Sequence, residues 1–275
     1  MITKHSLLLG SIFFLSLGCQ EDPGEDTGGG GEGDGGEPEE CAGVVDGDVS
    51  VSSEEALMAL EGVGRIEGEL RISGEVMSLG PLACLQEVGG RLVIEETELR
   101  DLSGLEGLVA AESLELLGNT ELVSTRGLGV QTLVGEIDEL AGFTTSQSQI
   151  VGNHQLTELR FDALREVGTV LIGVCGPSEY RVGNDSLEEL GESVFPVLES
   201  GVTLSVASNA HLQSAGGMLD GFSSGLPFLL LEFSDNFELD GSALRERWVS
   251  LGLDDKLRTC GNSGDQEPCD CPVTE

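Results

Sequence analysis

Cations, aromatics and histidines are scarce in this sequence. It holds 13 Lys and Arg against 50 Asp and Glu, a formal net charge of −37. Phosphate contacts require clustered Lys and Arg, so nucleic acid is excluded as a partner. The acids are spread along the chain. Charge of this kind supplies solubility and mutual repulsion at a crowded surface; its other uses are recognition of a basic partner and loose binding of divalent cations. Aromatic residues make up 4% of the chain, which leaves few platforms for stacking a sugar. Beyond His5, the histidines are His154 and His211, each beside a turn asparagine, and both read as surface turn residues. Gly221-Phe222-Ser223-Ser224-Gly225 has the spacing of a nucleophile elbow, but no histidine follows His211 to act as its base. Neither a zinc-binding His/Glu helix motif nor a phosphate loop is present. The chain is therefore expected to need no metal and no cofactor, and to be no enzyme.

Long apolar runs are also missing, except at the start. Lys4 precedes the apolar stretch Ser6 to Gly18, which is short for a membrane span and reads as a secretory signal over residues 1–18. Leu15-Ser16-Leu17-Gly18-Cys19 resembles the bacterial lipobox, with Ser16 where Leu is usual. That resemblance implies lipidation of Cys19 and a membrane anchor, and stable anchoring needs at least two acyl chains. Gln20 after Cys19, by resemblance to lipoprotein sorting in enterobacteria, implies the outer membrane, and we expect display at the cell surface. The residues up to 40 are Gly, Glu, Asp and Pro without a large apolar side chain, so 19–40 reads as a disordered tether extended by its own charge.

Seven cysteines are present. Setting Cys19 aside leaves an even set: Cys41, Cys84, Cys175, Cys260, Cys269 and Cys271. In an oxidising compartment these are expected to pair, in a connectivity the sequence does not choose. Cys41 and Cys84 bracket the first part of the folded region, and the last three cluster at its end. A zinc site built from that cluster would need a fourth ligand.

A short motif recurs: Asn119-x-x-Leu122, Asn153-x-x-Leu156, Asn184-x-x-Leu187, Asn209-x-x-Leu212 and Asn236-x-x-Leu239. Before each lies a short run alternating apolar and polar residues, as in Leu114-Glu115-Leu116-Leu117-Gly118-Asn119. The alternation puts apolar side chains on one strand face and polar ones on the other. The asparagine is expected to adopt a backbone conformation most residues avoid, and to bond backbone groups of its own or the next coil. Upstream, Leu57, Leu60, Val63, Ile66, Leu70 and Ile72 form one apolar series. Leu79, Leu82, Leu85, Val88, Leu92 and Ile94 form a second, and Leu99, Leu102, Leu105, Leu108, Leu114 and Leu116 a third. Spacing of three suits a short helix or 3₁₀ turn ahead of each strand. Repetition at roughly 20 to 34 residues predicts a stacked β-solenoid, an architecture that offers long surfaces and few deep pockets. Ala243 to Leu251, with Leu244, Trp248 and Leu251 on one face, predicts a C-terminal capping helix over about 242–252, with Trp248 used for packing.

Val88-Gly89-Gly90-Arg91-Leu92-Val93-Ile94, with the leucines that follow, resembles the receptor L domain, the leucine-rich ligand-binding domain of insulin-type and epidermal-growth-factor-type receptors and of many bacterial surface proteins. Ile66-Glu67-Gly68-Glu69-Leu70-Arg71-Ile72 resembles that family's first strand. The likeness covers about residues 41–260, leaving 261–275 as a Cys-containing tail. Val63, Gly64 and Arg65 stand where receptor members often carry a cysteine, so their disulfide scheme and hormone specificity do not transfer. The resemblance implies a mainly β chain with short helices, a right-handed solenoid of the leucine-rich type, and non-enzymatic recognition or adhesion, with a protein partner at the cell envelope. The solvent-facing strand positions Arg71, Val93, Glu115, Gln149, Arg181, Ser205 and Glu232 are expected to stack as one ladder and to form the binding face. Two alternatives are a structural surface coat without a specific ligand, and a polysaccharide-acting enzyme, by analogy with parallel β-helices, using acids such as Glu115, Glu232 and Asp235.

Overall fold

The computed structural model describes residues 41–135, 137–138, 143–144, 146–175, 182–221, 227–250, 256–265 and 269. Signal, lipobox and tether lie outside the described residues, as do Arg181, Ser223, Leu251 and Cys271. Residues from Glu39 onward form one compact unit. The chain is mainly β, with a twelve-stranded sheet in which every pairing is parallel.

In chain order the elements are β1 (Gly43–Val45), β2 (Val49–Ser53), α1 (Glu54–Met58), β3 (Val63–Ile66), β4 (Leu70–Glu75), a 3₁₀ turn at Gly80–Leu82, β5 (Glu87–Glu95), β6 (Ala110–Leu117) and β7 (Thr132–Leu133). A two-stranded antiparallel pair follows, β8 (Ile137–Asp138) with β9 (Phe143–Thr144). Then come β10 (Gln147–Val151), β11 (Glu166–Ile172), β12 (Ser200–Ala207), α2 (Gly216–Gly221), β13 (Phe228–Ser234), α3 (Gly241–Ser250) and β14 (Leu257–Cys260).

Two ladders run through the sheet. The first joins β2, β4, the second half of β5 and β6, then β10 to β14. The second joins β1 and β3 to the first halves of β5 and β6, to β7, and on to β11 and β12. Longer strands such as β5 serve both by bending. The register of β5 on β6 shifts between Val88 and Arg91, across Gly89-Gly90. A side chain at Gly89 would run into the carbonyl of Glu67, so only glycine lets the two coils approach at this corner.

The apolar series anticipated from spacing all turn inward. Every member from Leu57 to Leu116 named above is buried, and so are the motif leucines Leu122, Leu156, Leu187, Leu212 and Leu239. Together they form one continuous core. The edge turns expected from spacing of three are α1 and the 3₁₀ turn. Ser53 caps α1 by accepting from the Ala56 N–H.

The structure departs from the sequence expectation in two places. First, α3 does bury Leu244 and Trp248, and Asp240 caps it by accepting from the Ala243 N–H at 2.9 Å. It does not end the stack, because β14 follows and pairs with β13. Second, Tyr180-Arg181-Val182 is not the strand of the Asn184 repeat. The paired strand of that coil is β11, Val182 makes an antiparallel bridge with Val174, and Tyr180 and Arg181 lie outside the described residues.

Candidate functional site

The recurring asparagines are structural. Asn119, Asn153, Asn184, Asn209 and Asn236 have no exposed surface. Asn153 shows the arrangement. Its Oδ1 accepts from the backbone N–H and the side-chain amide of Asn119, both at 3.1 Å. Its amide donates to the Oδ1 of Asn184 at 3.1 Å and to the carbonyl of Leu116 at 3.0 Å. An amide offers two donors and two acceptor lone pairs, and here all four are used. Aspartate could not donate, and glutamine would place the head one methylene too far. The pattern passes from Asn119 to Asn236 and then to Asn262, whose role the sequence reading missed. Its signal was Leu257-Arg258-Thr259-Cys260-Gly261-Asn262, a copy of the run before Asn119. Asp265 stands where the other copies have leucine. It closes the ladder by accepting from the Asn262 amide and N–H at 2.8 and 3.2 Å. Thr97 closes the other end, donating to Asn119 through both N–H and hydroxyl.

The left-handed bend falls on the residue before the asparagine, not on the asparagine itself, except in the coil of Asn184, where it falls on Gly173 directly after β11. Glycine takes it at Gly118, Gly152 and Gly261, while Glu96, Ser208 and Asp235 adopt φ of 52°, 59° and 55°.

The outward positions of the first ladder do stack, in register: Arg71 on Val93, Val93 on Glu115, Glu115 on Gln149. Gln149 is followed by Leu171, then Ser205, Glu232 and Arg258. Leu171 thus occupies the rung expected of Arg181. Nor is the whole ladder solvent-facing, since Val93 is buried completely and Glu115 is 8% exposed. Arg71 bonds Glu95 at 2.7 Å and Glu69 at 3.1 Å; Arg91 reaches Glu69 at 2.5 Å and Glu115 at 3.0 Å. Val93 stands in register between Arg71 and Glu115 and two residues from Arg91, a place where long arginine stems can cover an apolar side chain. Hydrogen bonding to Glu95 and Glu69, respectively, raises the pKa of Arg71 and Arg91, so both stay charged.

Beyond Gln149 the same face opens into a groove of about 580 Å³ over β10 to β14. Thr169, Leu171, Thr203 and Ser205 form its floor, with Gln147 at one margin. Val174, Cys175 and Cys269 stand along another side. Among the described residues its charged side chains are Glu232 and Arg258, which pair at 3.1 Å.

Cys41 bonds Cys84, and Cys260 bonds Cys269. Cys175 is also in a disulfide. Cys175, Asp235 and Cys269 bring possible ligand atoms within 4.8 Å of one another. Both sulfurs are oxidised, so neither can serve as the thiolate a zinc site needs. The pairing of Cys260 with Cys269 likewise removes the zinc alternative considered for the terminal cysteines.

His154 and His211 are exposed turn residues, paired with Asp185 at 2.8 Å and Glu238 at 2.9 Å. Of the acids weighed for glycoside chemistry, Glu115 and Glu232 each pair with an arginine, and Asp235 is a buried turn residue. Among the described residues no helix is long and apolar enough to cross a membrane. In comparisons with known proteins, the chain matches no family model, no curated protein and no solved structure.

Proposed function

We propose that this chain is a lipid-anchored bacterial envelope protein whose parallel β-coil is a receptor-L-domain-like solenoid of the leucine-rich type, serving non-enzymatic recognition of a protein partner. The observation that carries the reading is the division of the outer sheet face. Over β4 to β6 its charges are spent on one another, whereas over β10 to β14 a groove stays open in a surface otherwise packed with acids.

Other features support it. A ladder of fully bonded asparagines ties successive coils together and makes a rigid platform, which lowers the entropic cost of binding. Disulfides at both ends of the described fold suit an oxidising compartment. Residues 1–18, Cys19 and the acidic stretch to residue 40 supply export, anchor and spacer in that order. Cys19 would hold the chain at the outer membrane, and the tether would present the coil to the outside.

The test is binding of labelled chain, residues Cys41 to Glu275, to intact cells of the producing bacterium. Saturable binding that unlabelled chain competes away supports recognition, and cross-linking then identifies the partner. Linear or absent binding refutes it and favours a structural coat. The anchor is tested separately: Cys19→Ser moves the chain from the membrane fraction to the soluble fraction if the lipobox reading is right.

A further inference from the structure

The groove over β10 to β14 has a chemistry of its own, and from it we infer that it binds an extended, non-acidic peptide segment of the partner. This rests on the recognition reading and narrows it to a site and a ligand class.

The groove is nearly free of net charge. In a chain of net charge −37 the described lining carries one carboxylate and one guanidinium, which neutralise each other. The floor is therefore a neutral strip inside a strongly negative field. An acidic segment would be repelled on approach. A segment with Lys or Arg at its flanks would be steered in, while its centre meets no charge.

The groove also holds polar groups that the fold does not use. Among the described residues, the side chains of Gln147, Thr169, Thr203 and Ser205 have no protein partner. They sit on three adjacent parallel strands, with Thr169 beside Thr203 in register and Gln147 beside Thr169. Parallel strands lie about 4.8 Å apart, so hydroxyls and an amide recur at that interval across the floor. Hydroxyls both donate and accept, and so can meet the alternating N–H and C=O groups of a main chain. Half-buried Leu171 between them and the disulfide wall at Cys175 and Cys269 offer apolar contact to small side chains.

From β10 to β14 is about 19 Å, which takes roughly six residues of extended chain. An oligosaccharide of that length is disfavoured because the only aromatic of the described lining, Phe233, is fully buried and offers no stacking face.

The experiment is selection from a phage-displayed random peptide library on the oxidised, full mature chain, followed by binding of the enriched peptides to variants. Two outward substitutions fill the groove, Ser205→Trp and Thr203→Arg; Arg71→Ala lies on the same ladder outside it. Melting temperatures establish that all three fold. The expected result is enrichment of peptides poor in Asp and Glu, with affinity reduced at least tenfold by either groove variant and within twofold of the parent for Arg71→Ala. Three results overturn the inference: no enrichment over bait-free beads; enriched peptides indifferent to both groove variants; or enrichment only after removal of residues 272–275, which keeps Cys271 and would make the chain's own tail the occupant. Binding of neutral oligosaccharides on a glycan array, lost in the groove variants, would also overturn it in favour of a sugar site. Saturable cell binding that survives Ser205→Trp would sink the groove while leaving recognition standing; absent cell binding by the parent chain would sink both.

Discussion

Asn153 accepts two hydrogen bonds from Asn119 through one oxygen, and passes its own amide on to Asn184 and to the strand below. Each asparagine in the stack is therefore both lid and floor for its neighbours. Replacing Asn153 by Ala takes the acceptor from the Asn119 N–H and from one of its two amide protons, and takes the side-chain donor from the Leu116 carbonyl, in a place without exposed surface; Asn184 Oδ1 keeps the Asn153 N–H, and the Asn119 amide keeps the Ile94 carbonyl. Buried polar groups left unpaired cost about 1–3 kcal/mol each, partly recovered by relaxation, so a loss of about 2–4 kcal/mol is expected in urea unfolding. Asn262→Ala, at the end of the stack beside Asp265, is expected to cost less. Equal losses at both sites would contradict a continuous ladder.

Glu96 holds φ at 52° ahead of the ladder's first members, in the position that Gly118 fills one coil later. A left-handed non-glycine costs about 1–2 kcal/mol, offset by the greater freedom of glycine in the unfolded chain. Glu96→Gly is expected to stabilise the protein by about 0.5–1 kcal/mol in thermal or denaturant unfolding. Destabilisation would mean that the Glu96 side chain holds something of its own.

Arg91 joins Glu69 and Glu115 over buried Val93. Its head is half exposed, which discounts the pairs for solvent screening. Arg91→Ala still uncovers Val93 and leaves nearly buried Glu115 without its cation. A loss of about 1–2 kcal/mol is expected at low salt, shrinking but not vanishing at high salt. A salt-independent loss would assign the whole effect to packing.

The His211–Glu238 pair makes one local contribution to stability depend on pH. Its hydrogen bond to the Glu238 carboxylate raises the imidazole above its ordinary 6.5, and the same bond lowers Glu238 below 4.5. The histidine's share is complete below pH 6.5 and is lost as pH rises through the raised folded value. The glutamate's share is complete above pH 4.5 and is lost as pH falls through the lowered folded value. The pair thus helps most between pH 4.5 and 6.5. An NMR titration of the His211 ring is expected to show its midpoint fall in Glu238→Gln; an unchanged midpoint would show that the pair does not form in solution.

Cys175 is in a disulfide, while Cys41, Cys84, Cys260 and Cys269 are bonded among themselves. If Cys19 carries lipid, the remaining partner is Cys271. Non-reducing peptide mapping is expected to recover a Cys175–Cys271 linked pair and no free thiol in the native protein. Stoichiometric thiol labelling without reductant would disprove it.

Much of the architecture was legible in the residues. Periodicities of two and three placed every leading apolar side chain inward, and the asparagines announced the stacking. The candidate face was legible only in part. Six of its seven expected positions do fall on one ladder, but Arg181 was aligned through its distance from Asn184. Arg181 lies outside the described residues, and the sheet register puts Leu171 between Gln149 and Ser205 on that rung. Val93 and Glu115 looked exposed because alternation assigns a face without saying what lies on it.

By itself the sequence determined the local facts: which strand face is apolar, where the chain must turn, and which side chain can bond in four directions at once. These depend on neighbours a few residues apart. The tertiary structure decided which coil lies against which, and so the burial of Val93 beside the Arg71 and Arg91 ion pairs, the sixth asparagine closed by Asp265, and the neutral groove beside the disulfides. Those depend on inter-coil register, set by packing between residues 22 to 34 apart, and no short window of sequence contains it.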